Sequence, residues 1–280
     1  MELYYAKRKE SLWYYVIIFL CVAGAGIYYL FSAGIVQIPS DKIAATDEGV
    51  KQEENIRIEN KVFGQSAQGR PIEGYEIGYG ENGILMFASI HGNEMGTADL
   101  LNRLVLEIAL KPGLVSGTKK LIIIPVANPD GYQERPDKLN ANGVNLNLNF
   151  GTSSWEQYGP EGNYAGPEPF SEIESRIIRD LVGQYKPKAM ISFHSHGNLV
   201  SPEADSLSEA LAKWYSKKTG YEYYGLWDFS GTATKWFAET TGNPAITVEI
   251  SKDQQSDWEI NRGALLELIS SDGWPDQKAK

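Results

Sequence analysis

The run Ile84-Leu85-Met86-Phe87-Ala88-Ser89, followed by Ile90-His91-Gly92-Asn93-Glu94, decides how the chain is read. An apolar run of that length reads as a buried strand, so His91 and Glu94 emerge at its carboxyl end. In open α/β sheets that edge is where ligands bind. A neutral imidazole and a carboxylate three positions apart can close on one zinc ion when a third ligand arrives from elsewhere. The plainer reading is a polar loop with Glu94 near the N-terminus of the next helix.

Working outward, apolar runs of the same kind recur at residues 121–127, 189–193 and 245–250. Helical spacing lies between them. Leu100, Leu101, Leu104, Val105 and Ile108 share one face, and Pro112-Gly113 ends that helix. Ser171-x-x-Glu174 opens a helix through Ile173, Ile177, Ile178, Leu181 and Val182, and Ser206-x-x-Glu209 opens one through Leu207, Leu211 and Trp214. A short helix covers residues 235–241 before Gly242, and a last one carries Ile260, Leu265, Leu266 and Ile269. Residues 56–79 alternate (Ile56, Ile58, Val62, then Ile72, Tyr75, Ile77) around Gly69-Arg70-Pro71, the pattern of an edge hairpin. Strands alternating with helices predict an α/β fold, a mostly parallel sheet covered on both faces. The polar stretch 128–167 is a long Asn- and Gly-rich loop, and loops of that length are usually functional.

Composition narrows the function. The 280 residues carry a net charge of −10 and a pI near 4.9, which leaves no basic excess for a nucleic-acid partner. The single cysteine, Cys21, excludes an intrachain disulfide and a thiolate zinc cluster. The three histidines, His91, His194 and His196, fall in two short polar segments, each after an apolar run.

The N-terminal part reads separately. Lys7, Arg8 and Lys9 precede an uncharged stretch from Trp13 to Phe31 that meets the ~20-residue span of a bilayer core. Aromatic residues cluster at both of its ends, as interfacial belts do. The expected organisation is a cytoplasmic N-terminus (1–11), a transmembrane anchor (12–36), a polar tether (37–54) and one catalytic domain (55–280) outside the cell membrane. A cleaved signal peptide with Ala23-Gly24-Ala25 as its site is the rival reading; the apolar run continues past that site, which favours the anchor.

Three strand ends therefore offer His91 and Glu94, His194 or His196, and Glu249. Two histidines and one carboxylate leave a fourth position on zinc open, the catalytic arrangement. A carboxylate on a buried strand is costly unless something faces it. Glu249 is thus either a general base beside a metal or half of an ion pair with Lys252 or Arg262.

The motifs, taken in order, resemble the zinc carboxypeptidase (carboxypeptidase A-like) metallopeptidases, in particular their bacterial murein-peptide amidase branch. They are Gly64-Gln65-Ser66 with Gly69-Arg70, His91-Gly92-Asn93-Glu94, Asn128-Pro129-Asp130-Gly131-Tyr132, and the segment Asn140-Ala141-Asn142-Gly143-Val144-Asn145-Leu146-Asn147-Leu148-Asn149-Phe150. Ser192-Phe193-His194-Ser195 and Thr247-Val248-Glu249 complete the set. The resemblance implies a three-layer α/β/α sandwich with a mixed sheet, and one Zn2+ held by His91, Glu94 and His194. It implies that Glu249 takes a proton from the attacking water and returns it to the leaving amine. The oxyanion partner aligns with Lys138, with Arg135 close by. His196 would be a contact near the site or a solvated turn residue.

Asn147 matches the family's binder of the substrate carboxylate, but the arginine that follows it in the family is Leu148 here. Leucine cannot form a bidentate carboxylate clamp. Either Lys138, Arg135 or Lys235 takes over the anion, or the peptide or muropeptide substrate presents no free carboxylate at that point. The second option suits an amidase or endopeptidase more than C-terminal trimming. For the tyrosine that overhangs the family's site, Tyr223, Tyr224 and Trp227 are the candidates, and Tyr224 is taken as substrate-binding. Two alternatives stay open: an acyl-amino-acid deacylase resembling the succinylglutamate desuccinylase and aspartoacylase group, and an inactive peptide- or carbohydrate-binding module.

Overall fold

The computed structural model describes residues 56–133, 137–251 and 255–272. The expected anchor and tether lie outside them, as do Arg135 and Lys252. Among the described residues no helix is long and apolar enough to cross a membrane. The strands are β1 (Ile58–Gln65), β2 (Pro71–Ile77), β3 (Asn82–Ala88), β4 (Lys119–Ile124), β5 (Ala189–Ser195), β6 (Leu199–Pro202), β7 (Glu222–Tyr223) and β8 (Ala245–Ile250). The helices are α1 (Met95–Leu110), α2 (Pro129–Tyr132), α3 (Ile173–Tyr185), α4 (Ser206–Thr219), α5 (Ala233–Thr241) and α6 (Trp258–Ser270).

All eight strands form one sheet in the order β1-β2-β4-β3-β5-β8-β6-β7. The four central strands β4, β3, β5 and β8 run parallel. The expected hairpin β1–β2 pairs antiparallel at one edge, and β6 runs antiparallel to β8 near the other. The sheet is thus mixed with a parallel centre. Successive residues of β3 point to opposite faces, and both faces are dry. Ile84 and Met86 join α1 and α6 residues such as Leu101, Leu104 and Leu265 in one core. Leu85 and Phe87 join Ile178, Leu181, Phe237 and Phe150 in the other. Each such buried side chain stabilises the sandwich by about 1.5–3 kcal/mol.

From β3 the chain crosses to β4 on one side, then to β5 on the other. That reversal opens a crevice at the carboxyl end of β3, where His91 lies.

Two helix starts differ from the expected capping boxes. The N-cap of α3 is Glu172, and Ser171 instead donates to Glu172 Oε1 at 2.9 Å. Glu174 accepts from the Ala67 N–H at 3.1 Å, so both residues serve the packing of loops. The N-cap of α4 is Asp205, one residue before the expected serine, accepting from the N–H groups of Leu207 and Ser208.

Candidate metal centre and active site

The loop carrying His91 and Glu94 is held by a strained turn. Ser89, the first residue after β3, is fully buried with φ at +45°, a conformation costing on the order of 1–3 kcal/mol for a non-glycine residue. Its N–H donates to Thr97 Oγ1 at 3.0 Å and its hydroxyl to the Glu94 carbonyl at 3.1 Å. Thr97 also donates to that carbonyl at 2.6 Å. Gly92 is required here: a Cβ on it would lie 2.0 Å from the Gly131 carbonyl carbon. Asn128 braces the same loop, donating to the Ile90 carbonyl at 3.2 Å and accepting from the Gly131 N–H at 2.9 Å. Ser66 and Arg70 anchor this brace to the hairpin through Asp130 Oδ1, at 2.7 and 2.8 Å.

Glu94 is the N-cap residue of α1, but its side chain makes no capping bond. The carboxylate turns the other way. His91 Nδ1 lies 3.0 Å from Glu94 Oε1, His194 Nδ1 lies 3.1 Å from Glu94 Oε2, and the two Nδ1 atoms are 3.3 Å apart. Glu94 Oε2 is buried without an aligned hydrogen-bond donor.

The outer ring nitrogens are engaged elsewhere. His91 Nε2 meets Asn145 Oδ1 at 3.1 Å, and His194 Nε2 meets Ser192 Oγ at 2.9 Å. An amide oxygen can only accept, so the His91 proton sits on Nε2 and Nδ1 presents a lone pair. Lone pairs gathered this closely repel unless a cation lies among them. Zinc bonds of 2.0–2.2 Å in tetrahedral geometry imply donor separations of roughly 3.3 Å. The observed spacing fits one zinc ion, and these three residues are the metal-ligand group found among the described residues.

Charge follows the same layout. Burial tends to raise the Glu94 carboxyl, but His194 and His91 outweigh it and hold it low. Burial pushes His91 down. For His194 burial acts in the same direction, but Glu94 and Glu249 outweigh it and raise it.

Glu249 stands opposite His194 in the β5–β8 register, and burial pushes its carboxyl up to about 8. Arg262 pairs with Glu107 at 2.6 Å, so it is not the partner of Glu249. Gly197 packs against Glu249, where a Cβ would come within 2.4 Å of the Glu249 Cβ.

His91, Glu94, His194 and Glu249 line a cavity of about 450 Å³ with Lys138, Asn145, Asn147, Leu148, Trp227 and Phe229. Lys138, expected as the oxyanion partner, lines the same cavity as the metal-ligand group. Asn147 Nδ2 lies 3.4 Å from His194 Nε2. Leu148 contributes to the cavity wall with most of its side chain buried against Gly159. Lys235, a candidate for the missing anion site, is instead paired with Asp228 at 2.5 Å. His196 is exposed at the cavity rim with φ at +81°. Tyr224 is not among the lining residues; its ring meets Trp227 edge to face, with centroids 5.9 Å apart, and Trp227 lines the wall.

The sequence reading missed Asn145 and Phe229. Asn145 could have been suspected from the Asn-Leu-Asn-Leu-Asn alternation, in which Leu146 and Leu148 are buried and the asparagines are left to bond.

With this geometry in hand, comparison with known proteins gives a consistent answer. A family model described as zinc carboxypeptidase matches residues 43–265. The chain is 26% identical over 247 residues to a zinc carboxypeptidase of Simulium vittatum, covering 71% of this chain and 80% of the relative. It is 26% identical over 217 residues to murein peptide amidase A of Escherichia coli K12, covering 70% and 84%. The crystal structure of a murein-tripeptide amidase from Escherichia coli O157 superposes with a TM-score of 0.59 at 22% identity, covering 76% of this chain and 92% of that one. Of the enzyme schemes that share this ligand pattern, the match selects the peptidase one. By motif order, sheet and family match together, the chain belongs to the zinc carboxypeptidase family of zinc-dependent hydrolases.

Proposed function

We propose that this chain is a membrane-anchored metallopeptidase that hydrolyses an amide bond within a peptide, with the peptidoglycan stem peptide as substrate. The observation that carries the hydrolytic part is the buried, donorless Glu94 Oε2 facing two imidazole Nδ1 atoms beside Glu249. The zinc ion, when bound, supplies a Lewis acid and lowers the pKa of water towards ~7. Glu249, raised by burial to about 8, would take the proton of the attacking water and give it to the departing nitrogen. Lys138 offers an ammonium at the cavity wall to offset charge that develops on the carbonyl oxygen. Asn145 holds the His91 imidazole in the tautomer whose Nδ1 lone pair turns inward, and Ser192 Oγ positions the His194 ring.

Leu148 in place of the clamp arginine supports internal or amide-directed cleavage over removal of a C-terminal residue. The peptidoglycan part is supported by the likeness to murein peptide amidase A. The anchor is supported by the uncharged stretch from Trp13 to Phe31 behind a basic N-terminus; it places the catalytic domain on the outer side of the cell membrane.

Incubation of the zinc-loaded protein with a mixed peptide and muropeptide library, read by mass spectrometry, tests the substrate. Cleavage of stem peptides at an internal amide is expected; products that each lack one C-terminal residue would overturn the assignment. Membrane fractionation of the full chain, beside a variant lacking residues 1–36, tests the anchor. Loss of membrane association only in the truncated form is expected, and equal partitioning of both would contradict it.

A further inference from the structure

Strand β1 is the outermost strand on its side of the sheet, and among the described residues no strand pairs with its free edge. Which residues face that edge follows from the ladder with β2. The Gly78 N–H donates to the Arg57 carbonyl at 2.9 Å, and the register continues with Glu59 opposite Glu76 and Lys61 opposite Gly74. In an antiparallel ladder alternate residues bond to the same neighbour. Arg57, Glu59 and Lys61 therefore direct their backbone groups to β2. Ile58, Asn60 and Val62 turn theirs outward.

An open edge of eight residues invites pairing, and proteins blunt such edges with charges and bulges. Both are present here. The register shifts between Val62 and Gly64, and Arg57, Glu59 and Lys61 form a row of alternating sign on one face. Within the chain Arg57 pairs with Glu59, and Lys61 with Glu76. On the other face Val62 is 60% exposed, in line with half-buried Ile58. That valine is left uncovered on an edge whose hydrogen-bonding groups point to solvent.

Charge decides which partner strand fits. A second copy of β1, running antiparallel about a two-fold axis, forms hydrogen bonds only where outward residues oppose one another. Centred on Glu59, the pairing sets Glu59 against Glu59 and Lys61 against Arg57. Centred on Lys61, it sets Lys61 against Lys61. Centred on Val62 it runs into the bulge, and centred on Ile58 it draws in residues ahead of β1 and leaves Val62 uncovered. Centred on Asn60, it sets Glu59 against Lys61 twice and Ile58 against Val62 twice, both favourable cross-strand pairs. Lys61, which would guard the edge against other strands, then meets a carboxylate.

We propose that this chain forms a two-fold dimer in which β1 pairs antiparallel with β1 of a second copy, centred on Asn60. Three opposed pairs supply about six backbone hydrogen bonds. The contact uses the same patch on both chains, so it closes on itself. At the far end of the sheet β7 has two residues, too few to extend the assembly. The hairpin fixed in this way carries Ser66 and Arg70, which hold Asp130 and with it the brace of the metal loop.

The test is sedimentation of the full chain in detergent from about 1 μM to about 1 mM. Wild type is expected to pass from monomer to dimer. Glu59→Lys and Lys61→Glu are each expected to weaken the dimer by about 10- to 100-fold. An equimolar mixture of the two variants should restore it, because each then meets opposite charge on the other, and a folding defect would not be repaired by mixing. In a Cys21→Ser background, Asn60→Cys is expected to form a disulfide-linked dimer on mild oxidation, as opposed Cα atoms there lie about 5.5 Å apart. Val62→Cys is not, because its counterpart lies four residues along, about 13 Å away. Monomer at every concentration, association that neither charge variant weakens, or a mixture no more associated than its components would overturn the proposal. Crosslinking of Val62→Cys as readily as Asn60→Cys would do the same.

Discussion

His194 and Glu249 are register partners on the neighbouring parallel strands β5 and β8, so backbone hydrogen bonding, not a loop, sets how far the acid stands from a metal ligand. Exchanging Glu249 for glutamine keeps shape and removes proton transfer. Glu249→Gln is expected to retain one zinc per chain while kcat falls by roughly 10²- to 10⁴-fold. Metal analysis beside steady-state kinetics checks this; a variant that keeps its turnover would remove Glu249 from the chemistry.

Asn145 fixes the proton of His91 on the outer nitrogen. Asn145→Ala is expected to weaken zinc binding by about 10- to 100-fold, and Asn145→Asp to keep or strengthen it, because a carboxylate is the better acceptor. Chelator competition measures both. Equal affinities across the three proteins would mean that the contact at 3.1 Å does not orient the ring.

Thr97 ties the strained Ser89 turn to the Glu94 carbonyl. Thr97→Val keeps the volume but leaves the buried Ser89 N–H without its acceptor and removes one of the donors to the Glu94 carbonyl. The expected cost is about 1–3 kcal/mol in chemical denaturation, accompanied by weaker zinc binding. Lost stability with unchanged metal affinity would show that the turn supports the fold and not the site.

Glu203 makes stability depend on pH in a stated direction. Its folded carboxyl is raised to about 7 from an ordinary value of 4.5, so folding binds a proton in that window. The contribution is neutral below about pH 4.5 and turns unfavourable as pH rises through 7, by on the order of 3 kcal/mol. Measured at pH 4.5 and at pH 8, Glu203→Gln should therefore gain stability over wild type with rising pH. A difference between the two proteins that does not vary with pH contradicts the burial of this acid.

What the sequence revealed and what it hid follow from one distinction. His91, Glu94, His194 and Glu249 were legible because each trails or ends an apolar run long enough to be a buried strand, and strand ends share an edge. The helix start at Glu172 was misread because Ser171 and Glu174 have competing acceptor roles in loops that only tertiary structure creates, and the start at Asp205 because its carboxylate takes both N–H groups one residue before the expected serine. Strand β6 escaped notice because four residues ending in Pro202 are too few to show alternation, and Glu203 went unremarked with it. Asn145 acts across 54 positions of sequence, on His91, and local pattern carries no trace of such a bond. The missing clamp at Leu148 was visible as a substitution, but the packing that makes it a core residue was not.

The account stands most directly on a crystal structure of the zinc-loaded protein with anomalous scattering collected at the zinc edge. A single peak bonded to Nδ1 of His91, Nδ1 of His194 and the Glu94 carboxylate, at about 2.0–2.2 Å, is the predicted result. A peak elsewhere, or the three side chains turned away from one another with zinc present, would contradict it.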